Sequence, residues 1–420
     1  MTNLLAIILS LVVLLILIYI KDTQARNIRS TEYGPLYFKL RRFNRIMSII
    51  SIIIFVIAAF IDYKTNFYEH SWMTVTRIMI DALSVAIITL PISLSNLYNS
   101  SLREKERISY TKYIVTNKYD LKKIYKFNKA GINVIVLTEE PFNTKIKTVT
   151  EKEFKKSMLN NNLVVITDNK KFLKNLDYAL FEYRDLNKAY DKIRVSRGSV
   201  DNLVRTVKYN VLSYFPILLV YLNLVITNFP ILYNILAIMC MKLITTIGSE
   251  YVFKKMPYDS DLMERQPYVE GKYIGVQEKF FILFTSFCAM FCYSLPYQHI
   301  AFEGGTNELA LTIFLCTFIF SNIFIVNCLY SESAIIKNIF KSLKYWRLVV
   351  FIICLIIVSI LINYIHVIGT KSIGFHNYTS CITFGLAPIL ILEAIKLARF
   401  LTIKRRDYSE SKNNKKSKRS

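Results

Sequence analysis

Long apolar runs constrain the fold of this chain more than any other feature. Nine such runs can be placed in the 420 residues, and each is close to the length that a helix needs to cross a hydrocarbon core of ~30 Å. They cover residues 4–20, 46–61, 82–98, 212–229, 231–252, 280–297, 309–330, 348–368 and 382–401. Strands of a transmembrane barrel would alternate in hydrophobicity, so the runs predict a membrane all-α bundle of about nine transmembrane helices.

The distribution of basic residues predicts the orientation of this bundle. The chain has 54 Lys and Arg against 30 Asp and Glu, and the cations gather in alternate loops, chiefly 103–208, 254–255, 337–347 and 404–419. Basic loops remain on the cytoplasmic side of a membrane. We therefore expect a multi-pass cell-membrane protein with its amino terminus outside and its carboxyl terminus in the cytoplasm. The charge pattern favours contact with membrane lipids over nucleic-acid binding.

One long polar stretch interrupts the apolar runs. Residues 100–208 contain two short apolar segments, 132–138 and 162–167, which are typical of buried strands, with charged helical segments predicted around 151–158 and 171–178. We expect a small cytoplasmic α/β domain here. The whole chain then divides into an amino-terminal anchor and linker (1–33), two transmembrane helices (34–99), this domain (100–208), six transmembrane helices (209–403) and a basic disordered tail (404–420).

Several functional classes find no support in the sequence. The seven cysteines lie in or beside apolar runs without the paired spacing of a zinc site, and no glycine-rich phosphate loop is present. We expect no metal, no cofactor and no bound nucleotide. The first apolar run lacks a preceding positive residue and a small-residue cleavage site, which favours a retained anchor over a signal peptide.

The order of several motifs resembles that of P-type cation-transporting ATPases of the calcium-pump class. The most specific motif is "MPYDSDLMERQPY" at residues 256–268, which resembles the loop after the family's sixth helix. The residues that carry it are Asp261, Leu262, Met263, Arg265 and Pro267. Weaker similarity to other family segments occurs at "GPLYFKLRRF", "DALSVAIITLPISL", "NVIVLTEEPF", "KIRVSRGSVDNL" and "SESAIIKNIF". The resemblance implies counterparts of the family's third and fourth helices, its phosphorylation domain in reduced form, and its last six helices.

The parts that let such pumps use ATP are missing from the sequence. By the resemblance, Thr138 stands where the family has its phosphorylated aspartate. The nucleotide-binding domain, which the family inserts after that position, is replaced by roughly 25 residues before Val164. An actuator domain has no counterpart before residue 34. These differences imply a pseudo-ATPase without enzymatic activity.

The family's ion site is altered in the same way. The resemblance places Pro91 and Ile92 where the fourth helix carries a proline and a glutamate, and Lys242 and Thr246 where the sixth helix carries ion ligands. We expect Ile92, Lys242 and Thr246 to face one another. A charge near the bilayer centre usually has a partner, and the candidates are Asn223, Glu250, Glu393 and the carbonyls that Pro91 frees from the helical ladder.

Two functional hypotheses follow from these absences. The first is a catalytically inactive scaffold or regulatory partner of another membrane protein, and the Lys, Asn and Ile composition is consistent with a bacterial role in cell-envelope assembly or stress tolerance. The alternative is an ATP-independent transport component for an ion, an anion or a lipid, with Lys242 as a binding charge. An ATPase of unfamiliar design is a third class, which ATP hydrolysis by the pure protein would reveal.

Overall fold

The fold is described from a computed structural model of the chain. It describes residues 34–65, 100–116, 120–137, 147–149, 163–166, 179–182, 185–227, 235–269, 272–331, 340–366 and 369–417. Nine α-helices within these ranges are α1 (Pro35–Thr65), α2 (Ser100–Ser109), α3 (Leu121–Lys129), α4 (Leu186–Ile226), α5 (Ile235–Ile247), α6 (Val276–Phe302), α7 (Asn307–Leu329), α8 (Trp346–Ile365) and α9 (Phe375–Ser417). The predicted spans at 4–20 and 82–98 lie outside the described residues.

Five of the described helices are long and apolar enough to cross a membrane. They are Leu186–Leu224 within α4, the whole of α6, α7 and α8, and Phe375–Ala398 within α9. Each contains most of a predicted apolar run, because the same residues supply both the hydropathy and the uninterrupted helical pattern. The chain is therefore a multi-pass membrane protein.

The predicted span at 231–252 has a different form. Its regular part is α5, which continues as a π-helical turn (Gly248–Val252) and a 3-10 turn (Phe253–Lys255). A π-turn shifts the hydrogen-bond register of a helix and is often found at functional positions. The predicted run at 46–61 lies within α1.

α7 is the central helix of the bundle. Nearly nine-tenths of its apolar window is buried inside the protein, against one-third for α8. The bundle core is formed by α4, α5, α6, α7 and parts of α8 and α9. α8 instead turns isoleucine side chains such as Ile353, Ile357 and Ile360 outward, as expected for a helix that faces lipid.

A five-stranded parallel sheet lies before the bundle in the chain. Its strands are β1 (Tyr113–Thr116), β2 (Asn133–Leu137), β3 (Lys147–Val149), β4 (Leu163–Ile166) and β5 (Ala179–Glu182), in the spatial order β3-β2-β1-β4-β5. β2 and β4 lie where the sequence predicted strands. The predicted helical segments at 151–158 and 171–178 lie outside the described residues.

The strand order of the sheet reverses one strand away from β2, the strand that precedes Thr138. In an open parallel sheet, ligands bind where the strand order reverses, at the carboxyl ends of the two central strands. Here the order reverses between β1 and β4. Thr138 follows β2, which is not one of these two strands, and Thr138 itself lies outside the described residues. The position that such a fold would use therefore follows β1, after Thr116.

We call the sheet and the helices α2 and α3 that pack with it the sheet unit. One helix, α4, belongs to both the sheet unit and the bundle. The span of 39 residues from Leu186 to Leu224 is about 58 Å long at 1.5 Å per residue, nearly twice the thickness of a hydrocarbon core. Its first turns bury Leu186, Ala189 and Ile193 with the sheet, and its last turns lie in the bundle core. α4 therefore fixes the sheet unit relative to the membrane helices.

The carboxyl-terminal tail differs from the prediction. The sequence predicted a disordered segment over residues 404–420, whereas α9 continues to Ser417. The cost of helix formation lies mainly in the first turn, and here that turn belongs to the membrane-spanning part. The lysines and arginines of the tail are good helix formers, so they extend a helix that already exists.

Candidate functional site

Lys242 lies half-buried on α5, in the part of the bundle that the sequence singled out. Its ammonium nitrogen is 4.9 Å from the ring centre of Tyr214 on α4. A cation over a tyrosine face at this distance is stabilised by the negative π-surface. The bundle thus supplies an aromatic face to this charge.

The hydroxyls next to Lys242 are already engaged. Thr246, one turn further along α5, donates its hydroxyl to the Lys242 carbonyl at 2.7 Å. The hydroxyl of Thr245 contacts the phenol of Tyr214 and lies within hydrogen-bond distance of the Met241 carbonyl at 3.1 Å. These contacts hold the Tyr214 ring against α5, where it meets the ammonium.

Further polar side chains continue this arrangement through the bundle core. Tyr209 and Ser213 on α4 both donate to the Asn322 side-chain oxygen on α7, at 2.8 and 3.0 Å. On the neighbouring face, Asn210 donates to the Ser249 hydroxyl at 2.9 Å. We call this set the polar layer; its members are Tyr209, Asn210, Ser213, Tyr214, Lys242, Thr245, Thr246, Ser249 and Asn322.

Gly248 lets two helices approach each other at the polar layer. A Cβ atom at this position would lie 2.5 Å from the Tyr209 hydroxyl and 2.7 Å from its ring, closer than real contacts allow. Gly248 also begins the π-helical turn, which places Ser249 against Asn210. Glycine at the π-turn therefore permits the hydrogen bonds that link α4, α5 and α7.

The chemistry of the polar layer is that of hydroxyls, amides and one ammonium. Within the described ranges, no group of three or more His, Cys, Asp or Glu side chains could hold a metal ion. Divalent cations such as Ca²⁺ are normally bound by six to eight oxygens that include carboxylates. The described side chains of the layer thus supply neutral oxygens and a positive charge.

The structure also describes the three side chains that were predicted as partners of Lys242, namely Asn223, Glu250 and Glu393. The Asn223 carbonyl accepts a hydrogen bond from Thr227 at 2.7 Å, Glu250 is exposed, and Glu393 pairs with Lys396 at 3.1 Å. Pro91 and Ile92 lie outside the described residues, so the expected meeting of Ile92 with Lys242 and Thr246 remains a prediction.

The loop motif at 256–268 connects the sheet unit to the bundle. Arg265 donates to Asp259 at 2.6 Å and to Asp261 at 2.9 Å, and its second terminal nitrogen is 3.6 Å from Asp201 of α4. Burial alone would lower the pKa of the Arg265 guanidinium, but these carboxylates raise it above its ordinary value. We call residues 256–268 the junction loop.

The apolar residues of the junction loop pack towards the sheet unit. Leu262 and Met263 are buried in a 3-10 turn (Leu262–Glu264), and Met263 joins the core formed by the strands, α3 and α4. The Pro267 ring would be 3.0 Å from a Cβ at Gly131, whose φ of +70° is also unfavourable for other residues. Met263, Arg265 and Pro267 therefore contact residues outside the loop, and Asp261 pairs with Arg265 within it.

The sequence motifs did not predict several residues of the polar layer and the junction. Arg205, 1% exposed, is the buried partner of Asp201 and Asp259, and Arg197 donates to the Ala130 and Arg265 carbonyls at 3.1 Å. Tyr209, Tyr214 and Asn322 were also missed. Asn322 does have a signal in the sequence, because it is a polar residue inside the apolar run 309–330.

Comparison with known families agrees with the likeness inferred from the motifs. Residues 215–398 match the family model described as "Cation transporting ATPase, C-terminus". No curated protein gives a significant match to the chain. The matched segment includes Lys242, Thr246, Asn322 and the junction loop, but it covers less than half of the chain and excludes the sheet. Residues 215–398 are thus similar to the carboxyl-terminal membrane region of the P-type cation-transporting ATPases.

Proposed function

We propose that this chain is a catalytically inactive, P-type ATPase-like membrane protein that acts as a scaffold or regulatory partner of another membrane protein. A setting in bacterial cell-envelope assembly or stress tolerance is consistent with its composition. The cytoplasm is the proposed location of the sheet unit and of the carboxyl terminus, because the basic loops flank them.

The observation that carries this proposal is the chemistry of the polar layer. The family resemblance assigns Lys242 and Thr246 to the position of ion ligands, and the Lys242 ammonium lies against the Tyr214 ring there. A lysine ammonium repels a divalent cation by Coulomb interaction, which is strongest where water is excluded. The ammonium in this position supports the proposal that the bundle has lost cation pumping but has kept its helix packing.

The residues that follow β1 support the same conclusion. A phosphorylated aspartate in a doubly wound sheet would be expected at the end of a central strand. The residue after Thr116 is Asn117, whose amide cannot form an acyl phosphate. The next carboxylate, Asp120, caps α3 by accepting a hydrogen bond from the Lys123 backbone at 3.2 Å. Its side chain therefore has a structural role in the described fold.

Lys242 also favours a second candidate function. A lysine charge in a transmembrane bundle is a common feature of substrate pathways. An ATP-independent transport component would use Lys242 to bind an anion, or the phosphate of a lipid, near the bilayer centre. The two candidates differ in whether any solute occupies the polar layer.

Phosphorylation tests the first candidate directly. We expect that radiolabelled ATP and Mg²⁺ leave no acid-stable label on the full-length protein, because Asn117 replaces a phosphorylatable side chain at the proposed position. An acid-stable label on the protein that disappears in Asp120→Asn would refute the proposal. Chemical crosslinking in the native membrane, followed by affinity purification of the full chain, would identify the proposed partner.

Binding of divalent cations tests whether the polar layer still holds a cation site. We expect Ca²⁺ or Mg²⁺ to leave the melting temperature of the purified protein unchanged, because the Lys242 charge disfavours them. A ligand that binds only the folded state at 100 times its Kd would add about 2.7 kcal/mol of stability. A saturable rise in melting temperature that is lost in Lys242→Met or Thr246→Val would favour the transport function. Thr383→Val, on an exposed residue of α9, is the matched control for the second substitution.

A further inference from the structure

A basic pocket lies where the sheet unit meets the bundle, apart from the polar layer. It is enclosed by α2, α4 and the 3-10 turn after α5, and its volume is about 220 Å³. Three lysines line it together with hydroxyl and amide side chains. The polar lining residues used below are Lys105, Lys254, Lys255, Ser199, Asn202 and Thr206.

The lysines of this pocket differ from their neighbours in having no carboxylate partner within the described part of the chain. Lys192 pairs with Glu104 at 3.2 Å and Lys208 pairs with Glu278 at 2.6 Å on the flanking surfaces. Among the residues that the structure describes, none forms an ion pair with Lys105, Lys254 or Lys255. Three ammonium groups around one small cavity thus give it an uncompensated positive potential.

The pocket also lies close to the expected membrane surface. Thr206 precedes Leu212, the first residue of an apolar run, by six residues, which is about 9 Å along a helix. Lys254 follows the apolar run that ends at Val252 by only two residues. Lipid headgroups lie just outside the hydrocarbon core, so the mouth of the pocket is near their level.

The size of the pocket limits what it can hold. Sites for drug-sized ligands are usually about 300–1,000 Å³, so a cavity of about 220 Å³ suits a phosphate with a few attached atoms. Lysine ammonium groups bind phosphate as point charges. The Ser199 hydroxyl already donates to the Val195 carbonyl at 2.9 Å, and the Asn202 amide donates one of its two N–H groups to the Met256 carbonyl at 2.7 Å. The three lysines would therefore supply the main contacts with a phosphate.

We propose that this pocket binds a phosphate group, carried by an anionic phospholipid headgroup or by a small soluble phosphate ester. The proposal is independent of the chain's enzymatic status, because none of the residues that line the pocket belongs to the polar layer or to β1. Binding would tie α2, which leads into the sheet, to α4 and to the end of α5. Occupancy should therefore stabilise the junction between the two units.

The test compares two ligands on the purified full-length protein. One arm uses short-chain phosphatidylglycerol, with zwitterionic phosphatidylcholine of the same chain length as the comparison of zero net charge, and the other uses glycerol 3-phosphate. We expect a saturable rise in melting temperature in at least one arm. Lys254→Gln/Lys255→Gln should weaken this binding at least about tenfold. Lys122→Gln/Lys126→Gln, which removes two exposed lysines of α3, should leave it unchanged.

The arms also identify the source of the phosphate. A response to phosphatidylglycerol alone assigns the site to a lipid headgroup, and a response to glycerol 3-phosphate alone assigns it to a soluble ester. Both variants exchange exposed side chains, so their melting temperatures without ligand should equal that of the unmodified protein. The proposal is overturned if neither ligand binds, or if the two double variants bind either ligand equally well.

Discussion

Asp259→Ala should lower the free energy of unfolding by about 3–5 kcal/mol, because it leaves a buried arginine without one of its carboxylates. Asp259 accepts hydrogen bonds from both Arg205 and Arg265 at 2.6 Å. Arg205 is buried and also donates to Asp201 at 2.8 Å and to the Tyr330 carbonyl at 2.7 Å. Loss of Asp259 therefore weakens the contact of α4 with both the junction loop and the end of α7.

Asp261→Ala is the matched control for this substitution. Asp261 bonds to the same Arg265 at 2.9 Å, but its side chain is 53% exposed. Exposed ion pairs contribute about 0–1 kcal/mol, so the control should stay close to the unmodified protein. Denaturant unfolding in detergent, followed by circular dichroism, would measure both variants. Equal losses of unfolding free energy in the two variants would contradict the expectation that the buried Asp259 stabilises the fold more than the exposed Asp261.

The apolar runs and the loop motif predicted part of the membrane fold. Five predicted runs correspond to described helices that are long and apolar enough to span a membrane. The family motif selected Asp261 and Arg265, which do pair. Both signals are local, since they depend on hydropathy within about 20 residues or on a spacing of four residues along the loop.

The partners across the junction could not be predicted from such local signals. Arg205 and Asp259 are 54 positions apart, and their contact depends on how the loop folds back on α4. Tyr214 meets Lys242 only because two helices pack face to face. An aromatic residue in an apolar run gives no indication of which cation it will contact.

The assignment of Thr138 remains a prediction on which the strand order bears. The sequence showed the apolar strands at 132–138 and 162–167 but not β1, whose four residues are flanked by lysines. In the sheet, β1 pairs with both β2 and β4, so the reversal in strand order moves away from Thr138. Strand order depends on long-range pairing, which a single segment does not encode.

Glu106→Ala should have a comparably large effect on the other side of the junction. Glu106 on α2 is fully buried, and its carboxylate accepts hydrogen bonds from the Leu36 backbone at 2.8 Å and from the Tyr110 and Tyr273 hydroxyls at 2.5 Å. A buried donor that loses its acceptor costs about 1–3 kcal/mol. With three donors affected, we expect a loss of about 3 kcal/mol or more.

Glu104→Ala is the control for Glu106→Ala, because it removes a carboxylate from the same helix without removing the buried hydrogen bonds. Glu104 forms an exposed ion pair with Lys192 at 3.2 Å, and removing it should cost less than about 1 kcal/mol. Glu106→Gln keeps one oxygen acceptor and should fall between the two. Similar losses for Glu104→Ala and Glu106→Ala would mean that the buried carboxylate does not hold α1 to α2.

The pH dependence of stability is a second, independent test of the contacts among Glu106, Tyr110 and Tyr273. Burial and the hydrogen bond to Glu106 raise the pKa of the Tyr110 phenol well above its ordinary value of about 10. A group whose pKa is higher in the folded state stabilises the fold fully below its unfolded pKa and loses this contribution as the pH rises above it. Unfolding free energy should therefore fall above about pH 10. In Tyr110→Phe this fall should be smaller, because phenylalanine has no proton to lose. An equally steep fall in Tyr110→Phe would place the alkaline sensitivity elsewhere in the chain.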